Sequence, residues 1–274
     1  MIDAEWEWDP IVIAPLALSA LLYAAGLARL WRRAGPGRGV TYIHAALFAG
    51  GWITLAGALV SPLHEYGEHL FLAHMVEHEL LMAVAAPLLA LSWPLGTFLY
   101  ACPRPWRLKL IAWCQVRPLH AVWEWLNQPV TATVLHGIAI WVWHIPTLLD
   151  ATIESELMHR LQHVSFLVTA LFFWWAIIRR PVKDYGLGAA HVFATMVHTG
   201  LLGALLTLAP HVFYPLQTRD APLFDLTPLQ DQQLAGLFMW VPGGAIYLAA
   251  GLWLIGRWLA GSSLQPTPLQ QRVL

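Results

Sequence analysis

Apolar residues gather in seven long runs separated by polar stretches that are rich in proline and glycine. The runs fall near 11–30, 41–60, 70–92, 130–149, 158–178, 188–209 and 233–258. Each approaches the roughly 20 residues that a helix needs to cross the hydrocarbon layer. The pattern predicts an all-α polytopic membrane protein, a seven-transmembrane-helix bundle forming a single membrane domain over residues 1–274. Residues 96–128 interrupt the rhythm with mixed basic, aromatic and aliphatic positions, which predicts one or two short helices lying in the membrane interface. The third run differs from the rest. It opens on Glu65, Glu68 and His69, sets His74 and His78 four residues apart with Glu77 and Glu79 beside the second, then continues uncharged from Leu80 to Pro94.

Composition agrees with the runs: 58% of the 274 residues are hydrophobic and only 11% charged, against about 25% charged in soluble domains. Sixteen tryptophans suit a chain with much of its surface at bilayer interfaces. The formal charge of −1 conceals an asymmetry. Thirteen of the 15 basic residues follow the first, third, fifth or seventh run, leaving Arg160 and Arg219 on the other side, where 14 of the 16 acidic residues lie. By the positive-inside rule the N-terminus is expected outside and the C-terminus inside. The acidic start lacks a basic leader region, so the first run is expected to be kept as an anchor. Cys102 and Cys114 are expected to be free thiols, since no CxxC spacing accompanies them.

With that orientation, the third and fifth runs both enter from outside. His74 and His78, and likewise His159 and His163, then form two i,i+4 pairs at similar depth. His144 ends the fourth run at the same level. Ionisable residues are costly inside a membrane and mark sites more often than packing, and ligands converging from facing helices are how bundles build metal centres. The candidate ligands are therefore His74, His78, His144, His159 and His163, with Asp231, Met239, His69 and Glu77 as further members. Imidazole serves copper, zinc, iron and haem alike; the thioethers of Met75, Met158 and Met239 tilt the choice towards copper(I). His64, His120 and His211 read as interfacial residues at helix ends. His44, His136, His191 and His198 read as interhelical hydrogen-bonding groups.

His78-Glu79-Leu80-Leu81-Met82 misses the zinc-protease pattern H-E-x-x-H at its last position. There is no P-loop, no dinucleotide fingerprint and no basic surface suited to nucleic acid. No enzymatic activity is expected.

The stretches HMVEHELLMAVAAPLLALSWP (74–94), WVWHIPTLLDATIESELMHRLQHVSFLVTALFFWW (141–175) and DQQLAGLFMWVPGGAIYL (231–248) together resemble the CtaG-type cytochrome c oxidase assembly factors, a multi-pass family linked to oxidases of the caa type. The resemblance implies a seven-helix protein of the bacterial inner (plasma) membrane that matures the oxidase. Its implied task is copper delivery to the oxidase catalytic subunit, with a periplasmic copper chaperone as a further partner beside the lipid bilayer. The motif positions carried onto this chain are His74, His78, His144, His159, His163, Asp231 and Met239. Two other readings compete: a membrane cytochrome with bis-histidine haem ligation, and a copper permease.

Overall fold

The computed structural model describes residues 6–262, and every regular element among them is a helix. Arg272, one of the basic residues counted above, lies outside the described residues. Helix α1 (Pro10–Ala34) starts where the Asp9 carboxylate accepts the Ile11 N–H at 2.9 Å, with Pro10 in the first turn. An acceptor at the N-cap and a proline that needs no N–H are both favourable there. Helix α2 (Tyr42–Val60) begins with a reciprocal cap between Thr41 and His44, so His44 serves its own helix rather than a neighbour. Ser61 and Pro62 then start a short helix, α3 (Pro62–His69).

Helix α4 (Phe71–Leu91) is the centre of the molecule. It is 67% buried, more than any other spanning helix. One apolar cluster joins it to α1 and α2 through Leu81, Ala85, Phe48 and Leu55. Another joins it, through Phe71, Met75 and Met82, to the later helices. Residues Leu80–Ala85 form a π turn, and the freed Met82 carbonyl accepts the Trp174 indole N–H at 2.9 Å.

The expected one or two interfacial helices are three: α5 (Pro94–Ala101), α6 (Arg104–Cys114) and α7 (Arg117–Leu126). Of these α5 packs into the bundle. A Cβ at Gly26 of α1 would collide with the Thr97 carbonyl oxygen, so glycine permits that approach.

The fourth span departs from expectation. Instead of one run over 130–149, it is α8 (Pro129–Trp143) followed by α9 (Pro146–Glu154), bent by 72°. Pro146 is the cause: it holds Ile145 in extended backbone, φ −67° and ψ 126°. The chain then returns through α10 (Glu156–Ile178), α11 (Tyr185–Thr207) and α12 (Pro228–Gly261). Among the described residues six helices are long and apolar enough to cross a membrane, or seven if the bent pair is counted as one span. Helices α11 and α12 cross closely at Gly203 and Gly236, where an added Cβ would lie 2.7 Å or less from the opposing carbonyl oxygen.

The segment between α11 and α12 folds over the end of the bundle that holds the histidine pairs. Its Tyr214 hydroxyl donates to the His144 carbonyl at 2.7 Å, and the Gln217 amide donates to that of Leu149 at 3.3 Å. Arg160, one of the two exceptions to the basic-residue pattern, is neutralised by Asp9 at 2.7 Å and by Glu156.

Candidate metal centre

The i,i+4 spacing does what helical geometry requires. On α4 the rings of His74 and His78 sit 4.2 Å apart between centroids, and on α10 those of His159 and His163 sit 4.4 Å apart. The two pairs face each other, with His74 to His159 at 5.4 Å and His78 to His163 at 5.2 Å. All four side chains are buried, none more than 7% exposed.

A fifth imidazole completes the cluster from an unexpected place. His64, read from the sequence as an interfacial residue, is turned inward by α3 and stacks on His159 at 5.2 Å. Its Nδ1–H donates to the Glu77 carboxylate at 2.8 Å, which leaves Nε2 as its free lone pair. Burial disfavours the charged imidazole of His64, but the hydrogen bond and charge of Glu77 outweigh it, and its pKa lies above the ordinary value. The signal for His64 was the Ser-Pro start of α3. A helix begun there runs antiparallel to the start of α4, with His64 opposite Glu77, and Gly67 lets its backbone lie against Glu77 and His74. Glu77 is fully buried, with His163 Nε2 also 3.7 Å from its carboxylate.

Donor atoms from two overlapping triads lie within 4.8 Å of one another: His64, His159 and His163, and His74, Glu77 and His159. An ion bound at about 2.0 Å by each nitrogen therefore needs only small side-chain rotations. Both nitrogens of His74 and His78, and Nε2 of His159 and His163, have no hydrogen-bond partner among the described residues. An unpaired buried polar group costs about 1–3 kcal/mol, so such a cluster favours a cation that accepts several lone pairs. The donor set of imidazoles and one carboxylate fits a borderline transition metal.

Other sequence candidates sit elsewhere. His144 donates from Nδ1 to the Ile140 carbonyl at 2.7 Å, and the Phe166 ring lies beside both it and His78. His69 pairs with Asp220 at 2.7 Å, outside the cluster. That bond is the main reason the Asp220 carboxyl lies below the usual carboxylate range. Met239 and Met75 belong to the apolar core cluster with Phe71 and Phe166, whose rings border His74 and His78. Asp231 uses both carboxylate oxygens on the N-terminus of α4, accepting the N–H groups of Phe71 and Leu72 at 2.9 Å each. Glu79 faces away from the cluster and lies against Gly243 of α12.

Toward the basic end, the expected interhelical pairs are present: His136 with Thr169 at 3.1 Å, His191 with Thr133 at 3.0 Å, and the Trp141 indole with His198 at 3.4 Å. The two cysteines are free.

The family model for the cytochrome c oxidase caa3 assembly factor matches residues 21–261. Uncharacterized proteins of Mycobacterium bovis and Mycobacterium tuberculosis are each 30% identical over 256 residues, covering 86% of this chain and 36% of the relative. A Mycobacterium leprae protein is 29% identical over 188 residues, covering 63% of this chain and 26% of its own. The chain thus spans about a third of the length of the first two relatives. No solved structure matches it.

Proposed function

The chain belongs to the cytochrome c oxidase caa3 assembly factor family, and from that membership we propose that it holds copper in the histidine cluster and passes it to the oxidase catalytic subunit. Copper is here the cargo. The protein acts in the bacterial plasma membrane with its N-terminus outside, as a carrier rather than an enzyme, and a periplasmic copper chaperone would load it. The observation that carries this reading is the convergence of five imidazoles on one buried carboxylate, with most of their nitrogens free of other partners.

The arrangement suits transfer better than storage. His64 is the member most open to the surroundings, its side chain 16% exposed, whereas His74 and Glu77 are buried. The two triads share His159. An ion accepted by His64, His159 and His163 can move to His74, Glu77 and His159 by exchanging ligands around one fixed imidazole. Glu77 fixes the tautomer of His64 while that residue ligates, the role carboxylates take beside metal-bound histidines. The rings of His78 and His163 meet edge to face with centroids 5.2 Å apart, too close for a macrocycle between them, which disfavours the haem reading.

The test is metal analysis of the purified protein after loading with copper(I) or zinc. Wild type should retain copper, and Ala at His159, the shared member, should remove it, while Ala at His211 should not. Unchanged copper retention in the His159 variant would refute the ligand assignment.

A further inference from the structure

Away from the histidines, an apolar shaft of about 410 Å³ lies between α2, α5 and α10, walled by Phe48, Trp52, Phe98, Leu167 and Leu171. Beside it, at the basic end of the molecule, lies a cavity of about 700 Å³ whose polar lining includes Asn127, Gln128, Arg179 and Arg180. Trp123 and Trp175 line both hollows, so the two adjoin across a shared indole wall and together offer a slot with an apolar and a cationic half. The shaft is within the range of about 300–1,000 Å³ typical of small-ligand sites.

Arg179 stands at the junction. Its guanidinium lies 3.5 Å from the Trp93 ring centre and 4.1 Å from that of Trp175, and it donates to the Ala90 carbonyl at 3.3 Å. Its buried Nε has no hydrogen-bond partner among the described residues. One carboxylate, Glu124, also faces the polar cavity, but it leans towards His120 at 3.5 Å. Two guanidinium groups against one carboxylate leave the mouth positive. Helix α7 supplies the Trp123 wall and presents its large apolar residues outward, as a helix lying in the interface does.

We infer that this slot binds one anionic phospholipid, with an acyl chain in the shaft and the phosphate head at Arg179 and Arg180. A zwitterionic lipid would satisfy only the shaft, and a free phosphate ester only the arginines. Indole rings at the junction match the glycerol level of a lipid, where amphipathic rings prefer to sit. Basic pockets between spanning helices are suited to such head groups. Another apolar hollow, about 310 Å³ beside Ala83, Pro87 and Trp253, has no charged residue on its wall and lacks this second half.

The experiment is native mass spectrometry of the full chain in a neutral detergent, titrated with dioleoyl phosphatidylglycerol, with phosphatidylcholine of the same chains, or with glycerol 3-phosphate. Wild type should keep one phosphatidylglycerol at roughly 25-fold lower lipid concentration than phosphatidylcholine, taking about fivefold for each of the two arginines near an anionic head. Arg179→Gln with Arg180→Gln should bring the two lipids level, and Leu171→Trp should weaken both alike. If the double variant does not fold, Arg180→Gln alone, which leaves the Trp-stacked Arg179 in place, should reduce the preference about fivefold. Equal retention of the two lipids by wild type, a preference unchanged by either arginine variant, or glycerol 3-phosphate binding as well as the lipid would each overturn the inference.

Discussion

Replacing Asp231 by alanine separates two roles for the same carboxylate. Leu70, the N-cap of α4, provides no side-chain cap, and Asp231 of α12 serves instead, accepting Phe71 N–H and Leu72 N–H at 2.9 Å. Asp231 and Phe71 are both fully buried, so water cannot readily replace the lost acceptor. One buried donor and one part-buried donor left unpaired at about 1–3 kcal/mol each, less some local relaxation, give an expected loss of about 2–4 kcal/mol. Asp231→Asn keeps one acceptor oxygen and should lose about half of that. Reversible unfolding of metal-free protein in mixed micelles measures the loss, and amide exchange at residues 71–74 locates it. Metal retention should fall with stability, because His74 lies only three residues beyond Phe71. A change within about 0.5 kcal/mol, as for an ordinary surface substitution, would refute the capping role. Weakened metal binding at unchanged stability would instead make Asp231 a ligand.

Further outcomes follow from other contacts. Gly203→Ala places a methyl 2.7 Å from the Gly236 carbonyl oxygen; overpacking of this kind costs about 1–3 kcal/mol, and a stability assay should show it, whereas Gly57→Ala, with open space around it, should not. The His69 hydrogen bond depresses the Asp220 pKa. Its contribution is therefore present in full above the unfolded value near pH 4 and lost as pH falls through the folded one. Unfolding midpoints from pH 5 to 2.5 should fall less steeply in Asp220→Asn, and an identical slope would remove the role given to this half-buried, partly solvent-screened pair. A reporter after Leu274 should report cytoplasm and one near Ala221 the outside; both on one side would overturn the proposed orientation.

Helix positions were legible because a spanning helix must be a long apolar run. Phe71–Leu91 and Glu156–Ile178 differ from the expected 70–92 and 158–178 by two residues or fewer at each end. The fourth span failed at Pro146, where apolar character continues but backbone geometry does not. The two histidine pairs were legible because helical periodicity alone aligns them. His64 was not, since its position depends on α3 lying antiparallel along the start of α4, with the chain turning back at Leu70. Asp231 was visible as a costly residue, yet its partners are backbone groups far away in sequence, which no side-chain pattern announces. The π turns at Leu80–Ala85 and Met239–Gly243 likewise left no mark in the periodicity.

The bond between Asp231 and Phe71 also has a consequence for biosynthesis. Its partners are separated by 160 residues, so at roughly 5–20 residues per second the start of α4 waits about 8–32 s for its cap. Throughout that interval α4 and α10 can already lie in the bilayer, while the segment bearing Tyr214 and Gln217 has yet to close over His144 and Leu149. The finished geometry around His74 therefore belongs to the completed chain. A nascent chain halted before α12 would expose the histidine pairs without holding them, so the proposed metal loading would follow translation rather than accompany it.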